Sequence, residues 1–349
     1  MSSRDYEIID FLGRHAWGEA QRVPVPGDAS ARRYERLSVN GHRAVLMDSP
    51  FDPSTISTYM RKGRLAGNNI SAFVCLATAL RQRGFGAPDI YAADIERGLV
   101  MLEDLGDDLI ARVLERQPEL EREIYTRAVE VAAAIYRSSF SPDLSAYGTR
   151  WQIKAYDFDA FMAETDLFLD WYVEKLETPI SQTARNDWLE IWRETLSQTQ
   201  TAAPGLALRD FHAENLFWRQ DKIRLEQIGL IDFQDAVFTH PAYDLVSLLE
   251  DARRDVSPDL VAPLIEHFCT CAKIENNQDF QSAYAILGAQ RNAKILGIFV
   301  RLSKRDNKHQ YLDFLPRVRA HFTHDLDHPA LVDLKLWIEK HAPSSLVAS

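Results

Sequence analysis

"LRDFHAENLFW", residues 208–218, is the stretch on which the fold of this chain turns. It sets Asp210, His212, Glu214 and Asn215 between Leu208 and the apolar triplet Leu216-Phe217-Trp218. Polar groups bracketed in this way suit a helix start capped by an acid, a metal site using His212, or a catalytic loop. The rest of the chain separates the three.

His212 has no second imidazole at ligand spacing, which leaves it a hydrogen bond within the loop or a contact on the substrate side. Asp210 and Asn215 are five apart, and Asp232 follows seventeen residues later at the end of the apolar run "IGLIDF", 228–233. A helix cap has no use for that later acid. A phosphotransfer site does: one carboxylate orients and deprotonates an acceptor hydroxyl, while an amide oxygen and a second carboxylate hold magnesium on nucleotide phosphates. Glu214 reads as solvent-facing.

The 349 residues are 46% hydrophobic, enough for a large core divided between two lobes. A net charge of −11, with the basic residues scattered, excludes nucleic acid as the main partner. Cys75, Cys269 and Cys271 lack zinc-ligand spacing and read as reduced thiols. The N-terminus lacks a signal-peptide apolar run, and no segment reaches the roughly 18 apolar residues of a membrane span, so a cytoplasmic monomer is expected.

After an amphipathic opening helix, residues 23–47 read as extended segments broken by turns at Gly27-Asp28-Ala29-Ser30 and at Asn40-Gly41. The spacing predicts a helix over about 69–83, a buried strand at Leu99-Val100-Met101-Leu102 and a linker at Asp104-Leu105-Gly106. From residue 117 the period turns helical, with Leu120, Ile124, Ala128, Val131 and Ile135 on one face, and a second helix is expected over about 155–174. The pattern predicts an α+β chain: a small β-rich N-terminal lobe, 1–105, and a larger mainly helical C-terminal lobe, 106–349.

Leu208-Arg209-Asp210 with Asn215 follows the kinase catalytic-loop pattern with Leu for its leading His, and Asp232-Phe233-Gln234 follows the magnesium-loop signature with its Gly lost. With "LEDLG" at 102–106, "IDFQDAVFTHPAYDLVSLLEDAR" at 231–253 and "QRNAKILGIFVRL" at 290–302, the chain resembles the aminoglycoside phosphotransferase and choline kinase-like family. More narrowly it resembles the bacterial anomeric N-acetylmuramate/N-acetylglucosamine kinases of cell-wall sugar recycling. The resemblance implies a protein-kinase-like bilobal fold and ATP-dependent phosphorylation, with magnesium, of the anomeric hydroxyl of an amino sugar.

By that resemblance Asp210 is the catalytic base, Asn215 and Asp232 bind magnesium, and the turn Gly27, Asp28, Ala29 and Ser30 covers the ATP phosphates. Glu103 and Leu105 would meet adenine through their backbone, and Asp244 would brace the catalytic loop. Asp235, and Glu164 and Asp166 on the 155–174 helix, are candidates for sugar hydroxyls, with a solvated helix face as the other reading of those two. Arg291 is either a contact for a sugar-acid carboxylate or surface charge.

The pattern departs from the family at one place. Met47 stands where kinases carry a phosphate-binding lysine, and no Asp or Glu occurs between Asp52 and Asp89, where the lysine's glutamate partner belongs. Arg32 or Arg33, just after the phosphate turn, could supply the missing charge, or both could line a solvated strand. A kinase for another small alcohol, such as an aminoglycoside or choline, and a nucleotide-binding pseudokinase stay open as alternatives.

Overall fold

The structure, a computed structural model, describes residues 2–25, 32–176 and 179–347. Helix α1 (Ser3–Arg14) is opened by a reciprocal cap, the Ser2 side chain accepting from the Asp5 N–H and Asp5 accepting from the Ser2 N–H. Five strands follow: β1 (Gln21–Val25), β2 (Arg33–Val39), β3 (His42–Asp48), β4 (Ile90–Asp94) and β5 (Leu99–Leu102). They form one antiparallel sheet in the order β1-β2-β3-β5-β4. The β2–β3 hairpin turns at Asn40 and Gly41, at φ +50° and +79°, as that dipeptide predicts.

Strand alternation sorts the sheet into two faces. Leu37, Ala44, Leu46 and Met101 pack with Ile8, Phe11 and Leu12 of α1. Met47, Val100 and Leu102 look the other way, toward α3 (Ile70–Arg81), which follows the short α2 (Thr58–Lys62) and buries almost all its residues. That second face is the one turned toward the helical part, whose core residues share its cluster.

Beyond Leu102 a connection leads to α4 (Ile110–Arg116) and α5 (Glu121–Arg137), in which Ile124, Ala128, Val131 and Ile135 are buried as their period requires. A hairpin of β6 (Asp143–Ala146) and β7 (Thr149–Gln152) comes next, turning at Tyr147 and Gly148 with φ +49° and +73°. Strand β8 (Lys154–Ala155) takes the start of the expected 155–174 helix. Helix α6 (Phe158–Leu167) therefore begins later, where Asp157 caps the Ala160 N–H at 3.0 Å.

After α7 (Gln182–Ser197) come β9 (Gly205–Ala207), β10 (Leu216–Trp218), β11 (Ile228–Leu230) and β12 (Val237–Thr239). Helices α8 (Ala242–Leu249), α9 (Pro258–Ala272), α10 (Asn277–Asp306), α11 (Leu315–Asp325) and α12 (Val332–His341) complete the helical part. Sheet and helical part meet closely at Gly86, which bridges to Gly229 of β11 and accepts from the Leu230 N–H at 3.0 Å. A Cβ on Gly86 would lie 2.2 Å from the Ile228 carbonyl oxygen, so only glycine fits. Among the described residues no helix is long and apolar enough to cross a membrane.

Candidate active site

Strand β9 delivers the chain into the loop Leu208–Asn215, in which Leu208, Arg209, Phe211, His212 and Ala213 are buried and the backbone needs partners. Asp244, on α8, accepts the Leu208 N–H at 2.7 Å and the Arg209 N–H at 2.9 Å. Arg209 stands at φ +71°, and its fully buried guanidinium donates to the Gly63 carbonyl at 2.8 Å and pairs with Glu164 of α6. Asn215 Nδ2 donates back to the Asp210 carbonyl at 3.0 Å, which ties the two ends of the loop together. His212 is buried and meets Asn215 Nδ2 through Nε2 at 3.3 Å, a contact within the loop.

The β10–β11 hairpin then returns the chain to the same point. Ile231 N–H donates to the Asn215 carbonyl at 3.2 Å, and Asp232, at φ +58°, places Oδ2 3.5 Å from Asn215 Nδ2. Phe233 turns inward and stacks on Phe73 of α3, centroids 5.0 Å apart. Asn215 thus joins Asp210, through its backbone carbonyl, to Asp232, through its carboxylate, and brings the three residues together. Burial pushes the Asp210 carboxyl up, but Lys294, Arg291, His212 and Arg209 outweigh it and hold the group below its usual range.

Of the residues expected to meet the nucleotide, Gly27, Asp28, Ala29 and Ser30 lie outside the described residues. The Glu103 N–H is spent on the Asp89 carbonyl at 2.8 Å, and its carboxylate pairs with Arg219 at 2.5 Å, so Glu103 is not an amide donor toward the cleft. Leu105 is half-buried, and among the described residues no group pairs with its N–H. Met47 is fully buried beneath the sheet.

The two arginines part company. Arg33 pairs across the strands with Asp48, and its guanidinium lies 3.0 Å from that carboxylate, which also binds Arg4 of α1. That is the outer face of the sheet, away from the cleft, so Arg33 is not the substitute cation. Arg32 shares the parity of Tyr34, whose hydroxyl lies in the electrostatic field of both Arg32 and Asp232. Arg32 is buried and donates to the Gly67 carbonyl at 2.8 Å.

A family model described as the phosphotransferase enzyme family matches residues 21–286. The chain belongs to this family. An N-acetylmuramate/N-acetylglucosamine kinase of Caulobacter vibrioides is 35% identical over 98% of each chain, and one of Pseudomonas aeruginosa is 29% identical over 89% of this chain and 86% of its own. Among solved structures, a putative aminoglycoside phosphotransferase of Ralstonia eutropha superposes with a TM-score of 0.60 at 14% identity, covering 96% of this chain and 98% of its own. A choline kinase of Streptococcus pneumoniae does so at 0.57 and 12%, covering 93% and 100%. The fold is thus the α+β, protein-kinase-like bilobal fold.

Beyond Asp210 this phosphotransferase has a densely charged floor. Glu164 is neither solvated nor free: it is fully buried, pairs with Arg209 and with Lys294 Nζ at 3.2 Å, and accepts from Tyr156. Asp235 accepts the Ala66 N–H, and burial raises its carboxyl. Arg291 is buried rather than on a helix surface, donating to Ser247 Oγ at 2.8 Å, while its Nε has no partner among the described residues. Asp166 stands apart, in the field of Asp170, Arg185 and Lys62, with burial lifting its carboxyl to about 6. Lys294, missed from sequence, stands three and four residues beyond Arg291 and Gln290 on α10, a spacing that puts all three near one face of that helix.

The oxygens offered at the cleft suit the metal that the phosphotransferase fold implies. The bond from Asn215 Nδ2 to the Asp210 carbonyl orients the amide, which leaves Oδ1 for another partner, and Asp232 is exposed. An amide oxygen and a carboxylate are a sufficient protein share for magnesium, which keeps waters and takes phosphate oxygens.

Proposed function

We propose that this chain is an ATP-dependent kinase that transfers a phosphoryl group to the anomeric (C1) hydroxyl of N-acetylmuramate, N-acetylglucosamine or both. The observation that carries the reading is that Asn215 bonds the Asp210 backbone carbonyl and lies beside the Asp232 carboxylate, which brings the three residues together. The amino-sugar assignment rests on the match to the Caulobacter vibrioides kinase across nearly the whole chain. Residues 1–105 form the lobe over the nucleotide, residues 106–349 carry the acceptor, and the protein acts as a cytoplasmic monomer.

In this reading Asp210 orients the acceptor hydroxyl and takes its proton as the new O–P bond forms and the bond to the departing ADP oxygen breaks. An anomeric hydroxyl is more acidic than an ordinary alcohol, so a base held below its usual range by Lys294 and Arg291 suffices. Asn215 and Asp232 hold magnesium, which neutralises charge on the phosphates. Arg32 takes the place of the absent lysine, and the Leu105 backbone meets adenine. Asp235, His212 and Arg291 line the acceptor side, where the unpartnered Arg291 Nε suits a sugar-acid carboxylate.

A coupled ADP-release screen over free amino sugars, aminoglycosides and choline, with phosphorus NMR of the product, tests this. The expected product is a sugar 1-phosphate, and Asp210→Asn lowers kcat by about a hundredfold or more. A 6-phosphate would remove the anomeric assignment. Turnover of only an aminoglycoside or choline would replace the amino sugar.

A further inference from the structure

Arg36 lies on the cleft face of the sheet. It shares the parity of Tyr34 and stands opposite Val45, which in turn stands opposite Leu102, the last residue before the connection between the lobes. From β2 its side chain reaches across to that connection. Nη2 donates to Asp104 Oδ1 at 3.1 Å and to the Gly106 carbonyl at 3.2 Å, Nε lies 2.7 Å from Asp104 Oδ2, and Nη1 lies 2.9 Å from Asp107 Oδ1. Asp104 is itself held in place by the Gly106 N–H at 3.0 Å. The cation is therefore fixed against the segment that carries Leu105, whose N–H has no partner among the described residues.

Two physical points decide what a group so placed can do. Its charge is already answered by two carboxylates, so it is a poor partner for phosphate. Its edge is turned to Asp104, Asp107 and the Gly106 carbonyl, Nη2 by hydrogen bonds and Nε and Nη1 by ionic contact, so what it offers a ligand is the flat face of the guanidinium, which stacks on aromatic rings. We infer that Arg36 is the roof of the base pocket, stacking on the purine of the nucleotide whose edge meets Leu105, and that Asp104 and Asp107 hold it for that task. This rests on the nucleotide reading of the cleft given above.

Calorimetric titration of the full chain with MgADP and, separately, with magnesium tripolyphosphate tests the inference, because tripolyphosphate has no base. In Arg36→Met the affinity for MgADP falls about tenfold while that for tripolyphosphate stays within about twofold of wild type, which also shows that the variant is folded. Arg36→Lys, which retains charge but not the flat face, falls as far as Arg36→Met. Asp107→Ala, at an exposed position, loses about threefold for MgADP alone by loosening the guanidinium. Unchanged MgADP affinity in Arg36→Met overturns the inference. So does tighter binding, which would make the clamp a latch across the pocket, and so does an equal loss for tripolyphosphate or full activity of Arg36→Lys in binding. Wild-type protein that binds neither ligand removes the nucleotide reading itself.

Discussion

Glu164 is a single carboxylate facing two buried cations. It and Arg209 are shielded from solvent almost completely, at 0% and 1% side-chain exposure, and Lys294 retains 9%. Burial alone would push its carboxyl up, yet Lys294 and Arg209 hold it below its usual range, so the native state keeps the charge. Glu164→Gln preserves the shape and one acceptor oxygen, turns the other acceptor into an NH2 donor, and removes that charge. Deleting one partner of a buried pair costs about 3–5 kcal/mol. Asp235, whose carboxyl also lies in the field of Arg209, softens the loss, which puts the expected destabilisation near the lower end, about 3 kcal/mol. The exposed pair Arg112–Glu115, at 56% and 58% exposure, is the internal control: Glu115→Gln should change stability by about 0.5 kcal/mol or less. Urea unfolding followed by tryptophan fluorescence measures both. Lys294→Met added to Glu164→Gln removes the surplus cation and should restore about 1–2 kcal/mol. Because Arg209 adjoins Asp210, the proposed base, kcat of Glu164→Gln should fall under conditions where the variant is folded. A Glu164→Gln protein within about 1 kcal/mol of wild type would refute the reasoning, since the cations would then need no counter-charge.

The other predictions are shorter. Arg32→Met should raise the KM for ATP about tenfold while Arg33→Met leaves it within about twofold, because only Arg32 faces the cleft; equal effects in steady-state kinetics would contradict the assignment of faces. Gly86→Ala drives a Cβ into the Ile228 carbonyl and should cost about 1–3 kcal/mol in urea unfolding, with an unchanged midpoint as the contrary result. Burial raises the Glu250 carboxyl to about 7 and lifts that of its buried neighbour Asp325, with Asn292 Nδ2 donating to Glu250 at 2.7 Å and to Asp325 at 2.9 Å. A raised carboxyl means that the folded state holds a proton the unfolded chain has released, so this contribution is fullest below the unfolded value and is lost as pH rises toward about 7. Glu250→Gln should therefore flatten the fall in thermal midpoint between acidic and neutral pH; an unaltered profile would count against the raised Glu250 carboxyl.

Much of the fold was legible because its signals are local. Asn40-Gly41 turns the hairpin by tolerating positive φ, α3 lies within the apolar run that predicted it, and Ile124 through Ile135 bury the face their period marks. The β6–β7 hairpin was missed because Tyr147, whose φ is positive, is a poor advertisement for a turn. The start of α6 was misplaced because β8 pairs with β12, more than eighty residues away in the chain, and took the segment first.

The sequence by itself determined which polar residues the proposed site draws on. Asp210, Asn215 and Asp232 occur in an order and spacing that few other tasks require, and the absence of an acid between Asp52 and Asp89 is a fact about the chain that no folding can change. Tertiary structure alone decided what the remaining charges do. Arg32 and Arg33 are neighbours of equal charge, separated only by the register that puts Arg33 opposite Asp48. Glu164 could not be told from a solvated helix acid until Arg209 and Lys294, 45 and 130 residues further on, came to it. Arg36 meets Asp104 across 68 residues. A charge's role is set by what surrounds it in space, through burial and the partners that offset it, and those partners are brought by distant parts of the chain.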